Sequence, residues 1–283
     1  MQILLNILFI MKPIEIYDLH HKFIHSIYSS RLKIQILLSL SEGNTSLARL
    51  REVTGSTSQA LIPKIRSLES QMLIEARNYE YHLTPLGKVV ASGVVRFVTI
   101  MGGIDHHREF WANHDLSGIP DEFLDNIGDL HEAEVKLDTQ VDIMQVYSHY
   151  LKIVKEARYI HGISSVMSPG LAESLGERVI AGVPVELVVN EEVIALLNKE
   201  PYIGFIRAAA AFSNFKVWAT KEKPKVGLTV TDKFLSLGFF KPDGKLYDSS
   251  ADLFSGDERA VAWAEHLFQY YRERSYQIDL SVL

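Results

Sequence analysis

Residues 32–86 read LKIQILLSLSEGNTSLARLREVTGSTSQALIPKIRSLESQMLIEARNYEYHLTPL, and this stretch decides the fold of the N-terminal part of the chain. Its apolar residues recur three or four positions apart in three successive runs, which is the spacing of amphipathic helices. The turn Thr54-Gly55-Ser56 separates the second run from the third. After Met72 the apolar residues alternate instead, and Arg77-Asn78 supplies a turn between two short strands.

Three short helices followed by a two-stranded hairpin predict a winged helix-turn-helix, whose third helix is free to enter a DNA major groove. Glutamine and serine can read base edges, whereas lysine and arginine contact phosphates. The hairpin tip, or wing, is suited to the minor groove or the phosphates. The predicted DNA-binding residues are Ser58, Gln59, Lys64, Arg66, Arg77 and Asn78. A winged helix that makes only protein contacts is the alternative.

Pro63 departs from this pattern, because a proline inside a helix removes one backbone hydrogen bond and bends the helix. Two interpretations follow. Either the third helix, which we expect to begin near Ser56, is kinked at Pro63, or it begins later.

The charge distribution favours a chain that touches nucleic acid with one end only. The whole chain has a net charge of -6. Residues 11–90 hold ten basic and seven acidic side chains, a net charge of +3, which leaves -9 for the remainder. A basic head on an acidic body is compatible with a double-stranded DNA partner and excludes a uniformly basic polyanion binder.

The chain contains no cysteine. Disulfides, thiolate metal sites, a catalytic cysteine and thiol redox sensing are therefore excluded. This composition fits a cytoplasmic protein. Residues 1–10, MQILLNILFI, are apolar and uncharged, too short to span a bilayer and unlike a signal peptide. One hypothesis is that translation begins at Met11 and that residues 1–11 are a non-native extension; the other is an apolar arm that packs on a dimer partner.

The C-terminal part predicts an α/β domain. A helix over residues 138–155 leads to a buried strand at 158–164, a helix at 165–181 and a second buried strand at 183–189, which together form a βαβ unit. Ligands of such sheets bind beyond the carboxyl ends of the parallel strands, and a helix start offers free N–H groups. The predicted ligand-binding residues are Ser164, Ser165, Ser168, Asn190 and Lys216. The alternative is that the serines only cap helices and that Lys216 lies on an outer face.

The junction and the C-terminal part resemble a family of winged-helix regulators from methanogenic archaea, named after a regulator of filament formation and methanogenesis. The resemblance rests on His114-Asp115-Leu116 and Ile119-Pro120, on GLTVTDKFLSLGFFKPDGKLYD, and on the tryptophan, Leu-Phe, Tyr-Arg and serine of the last helix. It covers nearly the whole chain from Met11. It implies an N-terminal DNA reader and a C-terminal effector domain.

The effector domain also resembles one half of a phospholipase D-type sheet. Catalysis in that fold needs His-x-Lys followed by an aspartate, because the histidine attacks phosphorus. Here the corresponding strand has Asn214-Phe215-Lys216, and His20-His21-Lys22 lies in an N-terminal helix without the aspartate. We therefore expect no enzyme activity, the alternative being a phospholipase D-like hydrolase with an accessory winged helix.

No cofactor or metal is predicted. His21 and His25 have a metal-ligand spacing, and Asp105, His106, His107, His114 and Asp115 cluster in sequence, but neither set is completed into a coordination pattern. The predicted organisation is an α+β winged helix-turn-helix domain at 12–90, a helical linker at 91–130, and a mixed-sheet α/β effector domain at 131–283. A long helix from Leu86 to Trp111, which Gly102-Gly103 would interrupt, is the predicted dimerisation element. The predicted function is a one-component, homodimeric transcription regulator that binds operator DNA and senses a small-molecule effector.

Overall fold

A computed structural model describes residues 11–280 of the chain. The predicted N-terminal extension therefore lies outside the described residues, except for Met11. The chain divides into two compact units, residues 1–98 and residues 99–283.

The first unit is built from helices and one small sheet. Its elements are α1 (Pro13–Tyr28), α2 (Arg31–Glu42), β1 (Thr45–Ser46), α3 (Leu47–Thr54), α4 (Ser58–Ser70), β2 (Ile74–Arg77), β3 (Glu80–Leu83) and the start of α5 (Pro85–His106). The three strands are antiparallel in the order β1-β3-β2. The predicted succession of three helices and a hairpin is present in the order expected.

Local capping explains why the helices begin where they do. The side chains of Ser30, Ser46 and Thr57 accept hydrogen bonds from the backbone N–H groups three residues later, at the starts of α2, α3 and α4. Gly55 ends α3 in the left-handed conformation with φ of 64°. The apolar stripes of the helices then meet in one core, which includes Ile36, Leu37, Leu40, Leu50, Leu61, Ile65 and Leu68.

Helix α4 contains Pro63 at its sixth position and continues to Ser70. Of the two interpretations, the later start is therefore excluded. Pro63 is exposed, so its ring faces solvent, where the missing backbone hydrogen bond is tolerated best.

Helix α5 runs through Gly102-Gly103 without the predicted break. The backbone of Ile127 and Gly128 packs closely against the helix at Gly103. A Cβ at this position would lie 3.1 Å from the Ile127 carbonyl oxygen, so the close approach favours glycine. By length and apolar composition, α5 would be able to cross a membrane, a property that core helices of soluble proteins share.

The second unit holds one large sheet. Its elements after α5 are α6 (Arg108–Ala112), α7 (Asp121–Leu124), a 3-10 helix (Ile127–Leu130), β4 (Glu134–Leu137), α8 (Gln145–Glu156), β5 (Ile160–Ser164), α9 (Pro169–Ile180), β6 (Val185–Asn190), α10 (Glu191–Leu197), α11 (Tyr202–Ala210), β7 (Phe215–Thr220), β8 (Val226–Thr231), β9 (Leu235–Phe239), β10 (Ala251–Ser255), α12 (Glu258–Glu273) and β11 (Tyr276–Gln277).

The sheet is mixed, as predicted. The strand order is β11-β7-β6-β5-β8-β9-β10-β4. Strands β5, β6 and β7 are parallel, and the remaining pairings are antiparallel. One core lies between the sheet and α12, and a second lies between the parallel strands and α8 to α11.

The segment predicted as a linker contributes to the core of the second unit. Phe110, Trp111, Ile119, Ile127 and Leu130 are buried in the same cluster as the leucines of β8 and β9. Apolar burial on this scale ties residues 110–130 to the sheet.

The C-terminal prediction was wrong about the start of one helix and omitted strands β4, β10 and β11. The helix predicted from residue 138 begins only at Gln145, and the strand Glu134–Leu137 precedes it. The edge strand Glu134–Leu137 is largely polar, so its sequence lacks the apolar run of a buried strand. Strand β10 was also missed, because Asp252 interrupts its apolar residues.

Candidate nucleic-acid interface and ligand cavity

The outer face of α4 presents the residues predicted to read DNA. Leu61, Ile65 and Leu68 are buried in the core of the first unit. On the opposite side Gln59 and Arg66 are exposed, whereas Ser58 and Lys64 are half-buried. The exposed face therefore offers one amide, Gln59, and one cation, Arg66, the side-chain types that contact base edges and phosphates. Lys64 lies on another side of the helix, near Lys33.

Lys33 on α2 adds charge near Lys64, and the sequence pattern did not single it out. The pKa of Lys33 is lowered, first by burial and then by repulsion from Lys64. The two lysines therefore lie close enough to repel one another. The signal in the sequence is a lysine at an otherwise apolar helical position.

The hairpin tip is one residue further along than predicted. Asn78 and Tyr79 both have positive φ, 50° and 64°, and form the turn between β2 and β3. Arg77 ends β2, is exposed and pairs with Glu75 at 2.6 Å. Tyr79 is fully exposed, so the tip carries an aromatic ring that the sequence analysis overlooked. A large aromatic residue inside a tight turn is the signal that would have identified it.

A cavity of about 810 Å³ lies in the second unit, against one face of the sheet. Strands β5, β8, β9 and β10 form its floor, and residues of α8 and α9 form its walls. Cavities of this size hold small organic molecules, and an apolar lining with a few convergent polar groups is typical of them.

The floor exists because side chains alternate between the faces of a strand. On β8, β9 and β10 one face carries leucine, valine and phenylalanine into the core below α12. The other face carries small or polar residues, of which Gly227, Thr229, Ser236 and Asp252 line the cavity. Gly227 and Gly238 are direct cross-strand partners, and a Cβ on either would overlap the hydroxyl of Tyr247.

Asp252 is the buried acid of this cavity, with 7% of its surface exposed. Its Oδ2 accepts a hydrogen bond of 2.8 Å from Ser236 Oγ. Its Oδ1 is buried and has no hydrogen-bond partner of normal geometry within residues 11–280, although the Tyr247 hydroxyl lies beside the carboxyl. Burial, reinforced by Asp248 and Asp138, raises the pKa of Asp252 to about 7.

The predicted ligand-binding residues divide into two groups. Ser164 and Ser168 line the cavity, in the loop between β5 and α9. Ser168 also caps α9, and the Ser164 hydroxyl donates to the Val166 carbonyl oxygen. Ligand binding by these two serines stays a prediction.

The other three residues lie away from the cavity lining and make other contacts. Ser165 donates to the Pro224 carbonyl oxygen. Asn190 caps α10 by accepting from Val193 N at 3.3 Å. Lys216 pairs with Glu186 at 2.9 Å. For these three, the alternative of a purely structural role fits the contacts better.

The residues weighed for catalysis have structural contacts too. Asn214 donates to the carbonyl oxygens of Val179 and Val183, at 3.0 and 2.7 Å. His161 forms a half-buried pair with Glu265 at 2.9 Å, stacked on Phe268. Across strands β5, β6 and β7, Glu186 stands between His161 and Lys216.

The histidine-rich sequences make other contacts in the described part of the chain. No group of three or more His, Asp or Glu residues within residues 11–280 has the geometry to hold a metal ion. His25 is instead 2.8 Å from the Tyr17 hydroxyl, and His21 is 2.9 Å from the Asp18 carbonyl oxygen. His114 is buried, with its Nδ1 2.6 Å from the Phe110 carbonyl oxygen, and Asp115 pairs with Lys225 at 2.9 Å.

Family models match both units of the chain. The model of the N-terminal domain of methanogenesis regulatory protein FilR1 matches residues 21–102, and the model of its middle domain matches residues 143–274. Methanogenesis regulatory protein FilR1 of Methanothrix harundinacea (strain 6Ac) is 27% identical over 254 residues, which cover 89% of this chain and 57% of that protein. The chain thus spans little more than half the length of this relative.

Similarity to solved structures is weaker. TrmBL2, an archaeal chromatin protein described as showing a novel mode of DNA binding, gives a TM-score of 0.40 at 14% identity, over 91% of this chain and 98% of its own. Nuc of Salmonella typhimurium, a phospholipase D family member, gives a TM-score of 0.39 at 14% identity, over 52% of this chain and 97% of its own. Scores this low do not show a common fold. The two domain matches, together with the curated relative, show that the chain belongs to the family of the methanogenesis regulatory protein FilR1.

Proposed function

We propose that the chain is a transcription regulator that binds operator DNA through a winged helix-turn-helix in its first unit. The observation that carries the proposal is the polar outer face of α4, together with a hairpin whose first strand ends in the exposed Arg77. Membership of a family named for a regulatory protein supports it. The proposal includes a cytoplasmic location, because the protein has to reach the DNA.

The chemistry of the interface assigns different roles to different side chains. Arg66 and Arg77 would contact phosphates, which binds all sequences alike. Gln59 is exposed in the first turn of α4, where a recognition helix points at base edges, and its amide can pair with adenine. Ser58, Lys64 and Asn78 border these positions and are proposed as supporting contacts.

A homodimer is part of the proposal, because a two-fold protein matches a pseudo-palindromic operator. The support is an exposed apolar surface on α1 and α5 of the first unit, where the Tyr28 and Phe97 rings pack edge to face at 4.9 Å. We call it the α1–α5 surface. It consists of Ile14, Ile16, Leu19, Phe23, Tyr28, Leu86, Val89 and Phe97, all exposed. Apolar surface of this extent is unfavourable in water and is expected to be covered by a second copy.

The second unit is proposed to sense a small molecule in its cavity. A mostly apolar cavity of about 810 Å³ with one buried acid suits the binding of a small molecule. The alternative, a phospholipase D-like hydrolase, lacks its nucleophile, because Asn214 occupies the position of the histidine and is committed to two backbone carbonyls. A phosphodiesterase activity that Lys216→Ala abolishes would favour the hydrolase instead.

A gel-shift titration of the full chain on the DNA upstream of its own gene tests the proposal, with a salt series at each protein concentration. We expect specific binding that weakens steeply as salt rises, since cations displaced from the phosphates return to them. Absent binding, or binding that salt does not affect, would overturn it.

A further inference from the structure

The interior of the cavity in the second unit has an unusual charge distribution. Asp252 lies on its floor, Asp138 lines it, and Asp248 is close enough to raise the pKa of Asp252. The lining also includes Lys223 and Lys245, but both are exposed, and Lys223 pairs with Glu192 at 3.3 Å. No basic side chain within residues 11–280 is bonded to Asp252.

A buried carboxylate without a cationic partner is costly, because burial removes its hydration. In Asp252 the Ser236 hydroxyl donates to Oδ2, and the Tyr247 hydroxyl lies beside Oδ1 without normal hydrogen-bond geometry. Both donors are neutral. Within the described residues the carboxylate therefore has no cation, and a cationic ligand in the cavity that Asp252 lines would supply one.

The other residues of the cavity limit which kind of molecule can carry the cationic group. Its walls include Ile143, Leu171, Leu175 and Leu187, and the rings of Tyr147 and Tyr150. Apolar and aromatic walls favour a hydrocarbon or aromatic body, and aromatic faces also attract cations. A carboxylate or phosphate placed at the floor would meet two aspartates instead.

We propose that the cavity binds an organic amine, with the ammonium group facing the carboxyl of Asp252 and an apolar body between α8, α9 and the sheet. This inference rests on the proposed sensing function and names the class of its ligand. An alcohol would supply a hydrogen bond but no charge, so it would leave the buried carboxylate only partly compensated.

Isothermal titration calorimetry of the full chain at pH 8 tests the proposal with three probes that share one aromatic body: tryptamine, tryptophol and indolepropionate. We expect tryptamine to bind about tenfold to a hundredfold more tightly than tryptophol, and indolepropionate to bind most weakly. Equal affinity of tryptamine and tryptophol, or no heat of binding from tryptamine at millimolar concentration, would overturn the proposal.

Asp252→Asn is the decisive variant, since it keeps the shape of the side chain and removes the charge. It should lower tryptamine affinity to that of tryptophol and leave tryptophol binding nearly unchanged. Asp129→Asn is the matched control, because Asp129 is also a partly buried acid whose pKa is raised by burial, but it lies outside the cavity lining. Unchanged tryptamine binding by Asp252→Asn would overturn the proposal.

Tryptophan fluorescence and circular dichroism spectra identify any variant that fails to fold. Tyr247→Phe then serves as the second variant, with a smaller expected loss of tryptamine affinity.

The same samples are assayed for DNA binding by gel shift, which separates the two proposals. Tryptamine binding without any DNA binding would support the amine site and overturn the regulatory function. DNA binding without tryptamine binding would do the reverse.

Discussion

Ser236 Oγ donates a hydrogen bond of 2.8 Å to Asp252 Oδ2, between strands β9 and β10 on the face of the sheet that lines the cavity. The opposite oxygen of Asp252 has no partner of normal geometry among the described residues. Oδ2 thus takes part in a hydrogen bond between two strands, whereas Oδ1 has no such regular partner within the described residues. The residue connects the stability of the second unit with its capacity for ligands.

Asp252 should make the second unit less stable as pH rises. Its pKa is raised from 3.8 to about 7, so between these values the folded state keeps a proton that the unfolded state loses. The free energy of unfolding therefore falls through this window, by up to about 4 kcal/mol, and the loss is complete above about pH 7. Asp252→Asn should remove this fall. Urea denaturation at several pH values, followed by tryptophan fluorescence, measures it, because all three tryptophans lie in the second unit.

Asp115→Asn is the control for this profile, and its effect should have the opposite sign. Burial raises the pKa of Asp115, but hydrogen bonds from Lys225 and Ser117 outweigh burial and lower the pKa overall. Its contribution is therefore present at neutral pH and is lost on acidification. A wild-type profile that Asp252→Asn leaves unchanged would contradict the role assigned to Asp252.

Gly87→Ala should destabilise the first unit, because a Cβ at this position would overlap the carbonyl of Leu73. A backbone neighbour cannot move aside as a side chain can, so the expected cost is about 1–3 kcal/mol. Urea denaturation followed by far-ultraviolet circular dichroism measures the change. Gly93→Ala, on the same helix, is the matched control: no atom lies within 4 Å of its Cβ position. That variant should gain roughly 0.5–1 kcal/mol from helix propensity. Equal effects of the two substitutions would contradict this packing.

Arg66→Ala should weaken binding to all DNA sequences alike. The loss of one phosphate contact lowers the slope of log affinity against log salt by about 1. Gel-shift titrations at several salt concentrations, on the upstream DNA and on random DNA, provide the slope. Lys155→Ala, an exposed lysine in the second unit, is the charge-matched control and should leave the slope unchanged. Arg77→Ala is expected to behave like Arg66→Ala.

Gln59→Ala should change sequence preference rather than overall affinity. The loss of a base-reading amide costs about 1–3 kcal/mol on the preferred sequence and little on random DNA. Selection of binding sites from a randomised library shows whether one position of the operator has become degenerate. A uniform loss on specific and random DNA would remove Gln59 from the reading face.

Phe97→Glu should convert a dimer into a monomer, because it buries a charge in the centre of the α1–α5 surface. Phe97 is 47% exposed and packs on Tyr28 within its own chain. Analytical ultracentrifugation measures the mass. Val141→Glu is the control, since Val141 is 97% exposed in the second unit and lies outside this surface. A dimer that survives Phe97→Glu would move the interface elsewhere.

The sequence by itself determined the first unit to within a few residues, because the information there is local. Capping side chains lie three residues from the groups they bind, and the apolar stripes of α2, α3 and α4 follow one period. The missing His-x-Lys pair is likewise visible without a structure. Local pattern even predicted the parallel strands β5 and β6, although His161 and Glu186 interrupt their apolar residues.

Tertiary structure alone decided the cavity and the fate of Asp252. Strand β10 pairs with β4, more than a hundred residues earlier in the chain, and neither strand has the apolar run of a central strand. Gly227, Thr229, Ser236 and Asp252 are unremarkable one at a time. They become the floor of a cavity only when pairing of β8, β9 and β10 places them on one face. The register of strands far apart in the chain placed this buried acid in the cavity lining. The short-range period of a sequence does not encode such a register.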